Sequence, residues 1–548
     1  MQYRAMNPCP RIGKAGRRDS GKARGSTLLR FHAAAFLAAC LLVAAGSVVL
    51  GQEPHDPLLD LMIQKGMITQ EEASKVQAEA DAYRSNAVQH AMPSMDSKWD
   101  ISKAVKRLEL YGDVRMRYEY READTPPGAR IELERARFAL RLGLRGDLFD
   151  DFYFGLRLET SSNPRSPWVT YGSSSPTPFG KSSNGINLGQ AYIGWRGGDW
   201  LDLTLGQMPN PLYTTPMVWD TDLNPTGAAE RFKYTVGNAD LFATFGQFLY
   251  QDNGPSYVSD TLMPYLYPPG SSRQQTSTDT TFLLAWQGGV TYHFSENISA
   301  KAAGTVYNYI GLMTNLITAT SSGGVGDTFI GEGSYGGSTN SATPVNGLTS
   351  QNGVSYNQVG VNNLVVLEVP AEVDFKIGKL NARFFGDYAY NLDGRERAQA
   401  AVKALAAQNK LQEFPGDPPL LTYGPQVNDV SAYQVGFAMG NGDNLGLVYG
   451  SVAQKNTWEF RTYWQHVEQY ALDPNLLDSD FFEGRGNEQG IYVGLGYAFT
   501  GNVIATFRYG YASRINNKLG TGGSNLDIPQ LNPITQYHLL QFDLTVRF

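Results

Sequence analysis

Cysteine is nearly absent from this sequence, which has two in 548 residues, Cys9 and Cys40. Both lie near the N-terminus, so the rest of the chain has neither a disulfide framework nor a cysteine-based metal site. This usage suits an oxidising compartment in which no disulfides hold the fold.

Long apolar runs are also scarce. One run, 31–50, follows a segment with eight Lys or Arg and a single Asp19. Together they predict a secretory signal peptide over residues 1–51. Two alternatives stay open: an uncleaved anchor, since the run nears the ~20 residues of a spanning helix, and a lipoprotein, since Leu37-Ala-Ala-Cys40 resembles its processing box. No comparable run occurs later in the chain, so no further transmembrane helix is predicted.

Charged residues make up only 18% of the chain, and acidic residues prevail among them. Removing the eight basic residues and one Asp of the leader leaves 37 Lys and Arg against 51 Asp and Glu, a net charge of −14. Nucleic acid binding requires clustered positive charge, so this balance excludes nucleic acid as an expected partner.

Catalytic and metal-binding patterns are missing as well. The histidines after residue 51 show no metal-ligand spacing, and no nucleophile motif accompanies His466. Residues 220–224 (DTDLN) resemble a calcium loop, but Pro225 stands where such a loop needs Gly, and Arg231 where it needs its closing Glu. The sequence predicts neither an enzyme nor a bound cofactor or metal.

What the sequence does have is a regular alternation of apolar and polar residues, which begins at Leu108. In 108–120, Leu, Val, Met and Tyr point one way, and Glu, Asp and Arg point the other. A period of two predicts a β-strand with one apolar and one polar face. The composition agrees, because 12% aromatic residues with 31 Tyr suit pleated surfaces.

This alternation predicts sixteen strands. They are 108–120, 131–146, 151–160, 188–197, 200–207, 228–236, 239–249, 281–294, 298–310, 364–377, 380–391, 431–452, 457–467, 488–500, 502–513 and 536–548. Even-numbered strands lead into short turns and odd-numbered strands into longer loops, which is typical of an outer-membrane β-barrel. A soluble β-sandwich would not segregate its loops by length. Residues 440–444 (GNGDN) would split the strand 431–452, so eighteen strands is the alternative.

The C-terminus carries the most specific local pattern. Apolar residues alternate with polar ones up to the last residue, at Leu540, Phe542, Leu544, Val546 and Phe548. A final amphipathic strand with a terminal Phe resembles the signal that the outer-membrane barrel assembly machinery binds. We therefore expect that machinery as a partner.

A separate unit precedes the strands. An apolar stretch at 58–63 ends at Gly66, and Thr69 and Glu72 have capping-box spacing, so two short helices are predicted over 57–85. The expected organisation is a signal peptide at 1–51, a periplasmic helical segment with its linker at 52–105, and the barrel at 106–548. The helices suggest an oligomerisation piece or a peptidoglycan contact, or a pair that simply packs on itself or on a neighbour.

Several short segments along the chain carry a family resemblance. They are 58–62 (LLDLM), 66–72 (GMITQEE), the arginine-rich strands, 206–213 (GQMPNPLY), 219–227 (WDTDLNPTG) and 478–481 (DSDF). In these segments the sequence resembles a family of bacterial outer-membrane proteins, the putative porins. This resemblance implies an outer-membrane diffusion channel for small hydrophilic solutes, in contact with lipid and lipopolysaccharide. A homotrimer is expected by analogy with other porins.

Sixteen strands leave room for a water-filled channel, whose inward charges would set its selectivity. The expected wall residues are Arg115, Arg117, Arg135, Arg137, Arg141, Arg145, Arg157 and Arg196. The third long loop, 207–227, carries Asp220 and Asp222, with Glu230 just beyond, and we expect it to fold inward and narrow the channel.

Two other roles for the arginines stay open. They would pair with neighbouring carboxylates and stiffen the barrel, or they would form a track for anions. The candidate carboxylates are Glu109, Asp113, Glu119, Asp147 and Glu159. A substrate-selective channel and a structural, cell-wall-anchoring barrel are the alternative functions.

Overall fold

The computed structural model describes most of the chain after residue 103. The described residues are Lys65, 104–124, 128, 130–161, 166–172, 185–253, 279–310, 364–395, 429–450, 454–473, 475–517, 521, 527–528 and 534–548. The chain divides into a unit of residues 1–91 and a unit of residues 92–548, and every described residue except Lys65 belongs to the second unit. The predicted signal peptide, the helices of 57–85 and the loop 311–363 lie outside the described residues, apart from Lys65.

Seventeen antiparallel strands form one sheet. They are β1 (Val105–Asp124), β2 (Arg130–Leu148), β3 (Phe152–Thr160), β4 (Val169–Thr170), β5 (Ile186–Arg196), β6 (Leu201–Gln207), β7 (Thr226–Val236), β8 (Ala239–Asn253), β9 (Asp279–Ser295), β10 (Ile298–Ile310), β11 (Val365–Ile377), β12 (Leu380–Asn391), β13 (Ser431–Gly440), β14 (Thr457–Val467), β15 (Glu488–Ala498), β16 (Val503–Arg514) and β17 (Gln536–Arg547). Sixteen of them follow one another around the wall, and β17 pairs with β1, which closes the barrel.

The sixteen predicted strands are confirmed, with two corrections to the pattern. The predicted strand 431–452 ends at Gly440 and is not followed by a second strand, so the eighteen-strand alternative is wrong. A one-turn 3-10 helix, Leu447–Tyr449, occupies the connection instead. The short β4 was not predicted; it pairs with β2 at Phe138↔Val169, beyond the last pairing of β3 with β2 at Arg141↔Glu159.

The connection lengths depart from the predicted alternation twice. Residues 441–456 form a long connection at the barrel end where the other turns are short, and residues 125–129 form a short one at the end where the other loops are long. The two rims of the barrel are named by these connections, the short-turn end and the long-loop end.

Burial in the barrel is inverted relative to a water-soluble protein. Apolar side chains on the outer face are exposed, as in Leu110 (60%), Leu205 (61%) and Val435 (62%), whereas Glu119 and Arg121 on the inner face are fully buried. An apolar outside and a polar inside are expected where the surroundings are lipid and the interior holds water. None of the helices in the described part of the chain has the length and hydropathy of a membrane span.

The C-terminal strand completes the wall. Val114 of β1 lies opposite Val546 of β17, and the backbone N–H of Phe548 donates to the carbonyl of Gly112 over 3.1 Å. A side chain at Gly112 would overlap the Phe548 ring, because a Cβ there would lie 2.6 Å from its Cζ. The apolar side chains of Phe542, Leu544 and Val546 lie on the same outer face as the Phe548 ring.

Candidate pore constriction

Two loops from the long-loop end fold into the barrel. Inner loop A is the segment 208–225 between β6 and β7, and inner loop B is the segment 468–487 between β14 and β15. Both contain fully buried aromatic or apolar side chains, which an exposed surface loop would not have. They are Met208, Met217, Val218 and Trp219 in inner loop A and Phe481 and Phe482 in inner loop B.

Inner loop A crosses the lumen and reaches the far wall. The Thr214 hydroxyl donates to the Glu368 carboxylate of β11 over 2.5 Å, and the Thr215 hydroxyl donates to Asp387 of β12. On the way, the backbone N–H and carbonyl of Tyr213 both bond to the Gln287 amide of β9, each over 2.8 Å. These contacts hold the tip of the loop opposite the strands from which it starts.

Inner loop B packs against the remaining wall. The rings of Tyr463 of β14 and Tyr492 of β15 stack on each other, and the Phe481 ring packs edge-on against both, with ring centroids 6.0 and 5.6 Å away. Gly510 of β16 leaves space for it, since a Cβ there would lie 2.5 Å from the Phe481 ring. The loop is therefore fitted to a recess in the wall rather than laid over it.

The two loops also bond to each other. The backbone N–H of Asp220 donates to the Leu476 carbonyl over 2.6 Å, and Asp478 N–H donates to the Pro216 carbonyl over 3.1 Å. The Asp220 carboxylate accepts from both the backbone N–H and the hydroxyl of Ser479, over 3.1 and 3.0 Å. The loops thus form one inner layer that divides the lumen.

The first group of inward charges is buried beneath this layer. This buried arginine cluster consists of Arg117, Glu119, Arg121, Glu483 and Asp543, whose side chains are 0–5% exposed, and of their partner Asp480 on inner loop B, which is 29% exposed. Arg117 bonds to Asp480 of inner loop B and to Asp543 of β17, over 2.7 Å each, with its side chain only 2% exposed. These ion pairs join inner loop B to β1 and β17.

The second group lines open space beside the layer. This water-lined arginine cluster consists of Asp113, Arg115, Arg141, Arg157, Glu159 and Asp222, whose side chains are 12–18% exposed. Arg141 pairs with Asp113 over 2.8 Å and reaches within 3.9 Å of Asp222 on inner loop A. Arg157 pairs with Glu159 over 3.0 Å. A carboxylate of inner loop A therefore lies within ion-pair distance of a wall arginine.

The loop carboxylates differ in their proton affinity. Burial and then the charge of Asp480 raise the pKa of Asp478 to about 7. Burial, with Asp222 and Asp478 nearby, raises the pKa of Asp220 well above its usual range. Burial opposes ionisation of Asp480 too, but Arg117 outweighs it and holds the pKa of Asp480 below its usual range. One carboxylate of the layer is thus fixed as an anion, and two neighbours favour the neutral form.

Cavities lie on both sides of the water-lined cluster. A cavity of about 580 Å³ at the long-loop end is lined by Glu159, Trp219 and Asp222, among others. A second cavity, of about 320 Å³ at the short-turn end, is lined by Glu109, Arg145, Tyr153, Tyr192 and Arg196. The water-lined cluster occupies the stretch of wall between them.

A third segment also turns inward, from the short-turn end. In the connection 441–456, the backbone N–H groups of Gly446 and Leu447 donate to the Glu459 carboxylate, and the Val448 carbonyl accepts from Arg508 over 2.8 Å. Gly494 of β15 makes room, because a Cβ there would lie 2.5 Å from Val448. Residues 446–448 of this connection therefore lie against the inner wall.

The predicted site residues separate into groups. Arg115, Arg141, Arg157 and Asp222 lie in the water-lined cluster, and Arg117 lies in the buried one. Arg135 pairs with Glu119 and Asp527 at its margin, over 2.5 and 2.6 Å. Arg137 is 7% exposed, donates to the Trp168 carbonyl and has its nearest carboxylate, Glu119, 3.9 Å away. Arg145 pairs with Glu109, and Arg196 with Asp147, at the short-turn end.

Glu230 is the exception among them. Its register partners are Leu203 and Phe245, and both belong to the outer face. The next residue, Arg231, is the one that points inward, where it pairs with Asp202 over 2.8 Å. Glu230 therefore does not join the lumen charges, because the strand phase places it on the opposite face.

The partners of the inner layer were not predicted. Thr214, Thr215, Glu368 and Asp387 carry no local pattern, since they come together from distant parts of the sequence. Residues 478–481 (DSDF) did carry a signal: they repeat the Asp-x-Asp of residues 220–222, and each pair ends an apolar stretch.

The sequence matches the family described as "Putative porin" over residues 122–548. No curated protein matches it. Among solved structures, OprB of Pseudomonas putida shares 12% identity over 80% of this chain and 94% of that chain, with a TM-score of 0.40. The outer membrane channel DcaP of Acinetobacter baumannii shares 12% over 82% and 99%, with a TM-score of 0.36. OmpT of Vibrio cholerae, in a trimer form, shares 9% over 81% and 99%, with a TM-score of 0.35.

Proposed function

Because this chain belongs to the Putative porin family, whose match covers residues 122–548, it is an outer-membrane channel for the passive diffusion of small solutes, and we propose that solutes pass along the water-lined arginine cluster. Short turns face the periplasm in such barrels and longer loops face outward. Solutes then enter through the cavity beside Trp219 and leave past Arg145 and Arg196.

The observation that carries this proposal is the difference in exposure along β1. Arg115 and Arg117 both point inward, but the side chain of Arg115 is 15% exposed and that of Arg117 is 2% exposed. Water reaches the first and not the second, because inner loop B and the Trp168 ring, whose centroid is 3.9 Å from the guanidinium carbon, cover Arg117. We infer that the narrowest part of the path lies where inner loop A faces β1–β3.

The charges at this eyelet are balanced. The wall carries three arginines, Arg115, Arg141 and Arg157, and two carboxylates, Asp113 and Glu159, and inner loop A adds the carboxylate of Asp222. Equal numbers of positive and negative charges give no net preference for one ion sign. We expect a channel of weak charge selectivity, and a strongly anion-preferring channel is the alternative.

Planar-bilayer recordings test this assignment. The wild type should give steady ohmic steps and a reversal potential near zero in a salt gradient. Arg141→Glu and Arg157→Glu should each shift the reversal potential towards cation preference, since each places two negative charges where one of each sign stood.

Lys376→Glu is the matched control, because this exposed lysine near the short turn after β11 lies away from the eyelet. If the reversal potential shifts equally in Lys376→Glu and Arg141→Glu, the assignment of the eyelet is wrong. It is also wrong if the reversal potential is unchanged in both Arg141→Glu and Arg157→Glu.

Export through the predicted signal peptide, recognition of β17 by the assembly machinery, and contact with lipopolysaccharide belong to the same proposal. The outward face of β17, which ends at Phe548, is the feature that supports assembly by that machinery. The peptidoglycan contact and the homotrimer stay predictions.

A further inference from the structure

Glu230 is a carboxylate on the membrane-facing surface of the barrel. It lies between Leu203 of β6 and Phe245 of β8 on the same face, and its carboxylate accepts a 2.9 Å hydrogen bond from the Gln247 amide. On β7, Arg231, which pairs with Asp202, and the buried Ala229 point inward. Glu230 lies between them and therefore points outward. A membrane-facing carboxylate is unfavourable wherever lipid surrounds it.

Other polar and small residues accompany Glu230 on this face. Gln207 is opposite Thr226, and Ala228 is opposite Gln247. Together they form the outer polar patch, which we define as Gln207, Thr226, Ala228, Glu230, Ala243 and Gln247. Gln207 and Thr226, at its edge towards the long-loop end, also border the cavity beside Trp219. Elsewhere at this level the outward positions are mostly large and apolar, such as Leu205, Trp286 and Val369.

The depth of the patch can be estimated from strand geometry. Trp200 and Tyr234 are exposed aromatics at the short-turn end (56% and 67%), as expected at a membrane interface. Glu230 lies four residues further along β7. At ~3.4 Å per residue and a tilt of ~40°, it sits about 10 Å inside an apolar band about 25 Å tall. Lipid headgroups do not reach this depth, so they cannot solvate the patch.

The other outward-facing carboxylates among the described strand side chains do not share this problem. They are Glu122, Asp124, Glu132 and Glu134, near the long-loop end of β1 and β2. Glu134 lies twelve residues beyond Gly146 on β2, about 30 Å in height by the same geometry, which is outside the band. Glu230 is thus placed differently from every one of them.

We propose that the outer polar patch is a contact surface between copies of this chain within the membrane. The patch holds both kinds of hydrogen-bonding group, since Glu230 only accepts whereas the amides of Gln207 and Gln247 also donate. The same groups on a second copy can therefore donate to and accept from this patch within the membrane. Ala228 and Ala243 allow close approach, as small residues do at contacts within membranes.

Cross-linking in isolated outer membranes tests the contact. The chain has no cysteine after Cys40, so single cysteines can be placed at Gln207, Ala228 and Ala243, one at a time, and treated with a short bis-maleimide. At least one should give covalent multimers of this chain. Leu495→Cys is the control, because Leu495 faces outward (47% exposed) on β15, eight wall strands away.

The cross-linking result has three outcomes. Multimers from the patch but not from Leu495→Cys support the contact. Monomers from all three patch cysteines, or equal products from the control, overturn it. A product whose mass shows a different protein also overturns it, because the occupant would then not be a second copy.

A second variant separates this contact from simple lipid exposure. Glu230→Leu should leave the barrel folded and weaken self-association about tenfold or more, because partner groups in the other copy lose their acceptor. Glu134→Leu, the same replacement outside the apolar band, should leave self-association unchanged. If Glu230→Leu instead leaves the oligomer intact, as expected for a side chain that meets only lipid, the contact is overturned. Channel conductance of the variant monitors the proposed function independently.

Discussion

Arg115 and Arg117 lie two residues apart on one strand and point into the same lumen, yet they belong to different environments. Arg115 pairs with Asp113 beside water, and Arg117 pairs with Asp480 and Asp543 under inner loop B. The strand gives both the same orientation. What separates them is the loop that returns from β14, so the function of a wall arginine depends on which loop faces it.

The two clusters also differ energetically. Ion pairs beside water are screened and contribute little to stability, about 0–1 kcal/mol each. Buried pairs are dehydrated, and their attraction approximately offsets that cost, but removal of one partner leaves an uncompensated charge. The buried arginine cluster therefore fixes the position of inner loop B, while the water-lined cluster leaves its charges available to solutes.

The largest effect is expected from Arg121→Ala. Its guanidinium is fully buried and lies 3.0 Å from Glu119, 3.4 Å from Glu483 and 2.9 Å from Asp527. Arg135 and Arg485 still pair with these carboxylates, but loss of the central cation leaves the buried network short of one positive charge, at a cost of roughly 3–5 kcal/mol in the free energy of unfolding. Denaturant unfolding of the barrel in lipid vesicles would measure this loss, and single-channel recordings should show a larger, noisier conductance as inner loop B is released.

Arg145→Ala is the control for that change. Arg145 pairs with Glu109 over 2.6 Å but is 57% exposed, so its loss should change the free energy of unfolding by no more than about 1 kcal/mol. Equal destabilisation in the two variants would mean that the distinction between the clusters is wrong.

The barrel could be predicted from the sequence because strand phase is a local property. Sixteen alternating segments and their turns identify the wall, and the same alternation covers the position of Glu230. Ala228, Phe232 and Tyr234 set the outward phase of β7, and Glu230 shares their parity. Glu230 closely follows inner loop A in the sequence, and this favoured a position in the lumen. The two-residue period of the strand instead places it on the outer face.

The inner layer could be predicted only in part. The expected inward fold of 207–227 agrees with the position of inner loop A. The Asp-x-Asp of residues 478–480 did not predict that inner loop B folds inward, and nothing in the sequence marked the Thr214–Glu368 contact. These contacts join residues more than 150 positions apart, and no periodicity links them. The burial of Arg117 depends on inner loop B, so the two arginine clusters could not be separated beforehand.

A smaller effect is expected from the tip of inner loop A. Thr214→Val and Thr215→Val keep the shape of the side chains but remove the hydroxyls that Glu368 and Asp387 accept. A buried acceptor without its donor costs about 1–3 kcal/mol. The tip should then leave the far wall more often, and the mean single-channel conductance should rise.

Thr235→Val removes a comparable bond, 2.6 Å to Asp240, at an exposed position near the short-turn end. Its conductance should match the wild type. A tip that is held by packing alone would give unchanged conductance in all three variants, contrary to the role assigned to the threonine hydroxyls.

The smallest effect is expected from pH, and it concerns the junction of the two inner loops. The pKa of Asp478 is raised to about 7, first by burial and then by Asp480, so the folded junction binds a proton that the unfolded chain has released. Stability of the junction is therefore complete below about pH 4 and declines as pH rises towards 7. Between pH 6 and pH 8 this decline amounts to about 1 kcal/mol.

Single-channel recordings at pH 6 and pH 8 should show more frequent brief conductance changes at the higher pH, because ionised Asp478 repels Asp480 and loosens its contact with Pro216. Asp478→Asn keeps the backbone bonds and cannot ionise. Brief conductance changes should therefore be equally rare at pH 6 and at pH 8 in this variant. A pH response that survives in Asp478→Asn would place the titrating group elsewhere. Arg117 keeps Asp480 charged at both pH values. The pH response should therefore arise at the junction of the two inner loops, while the ion pairs of the buried arginine cluster stay intact.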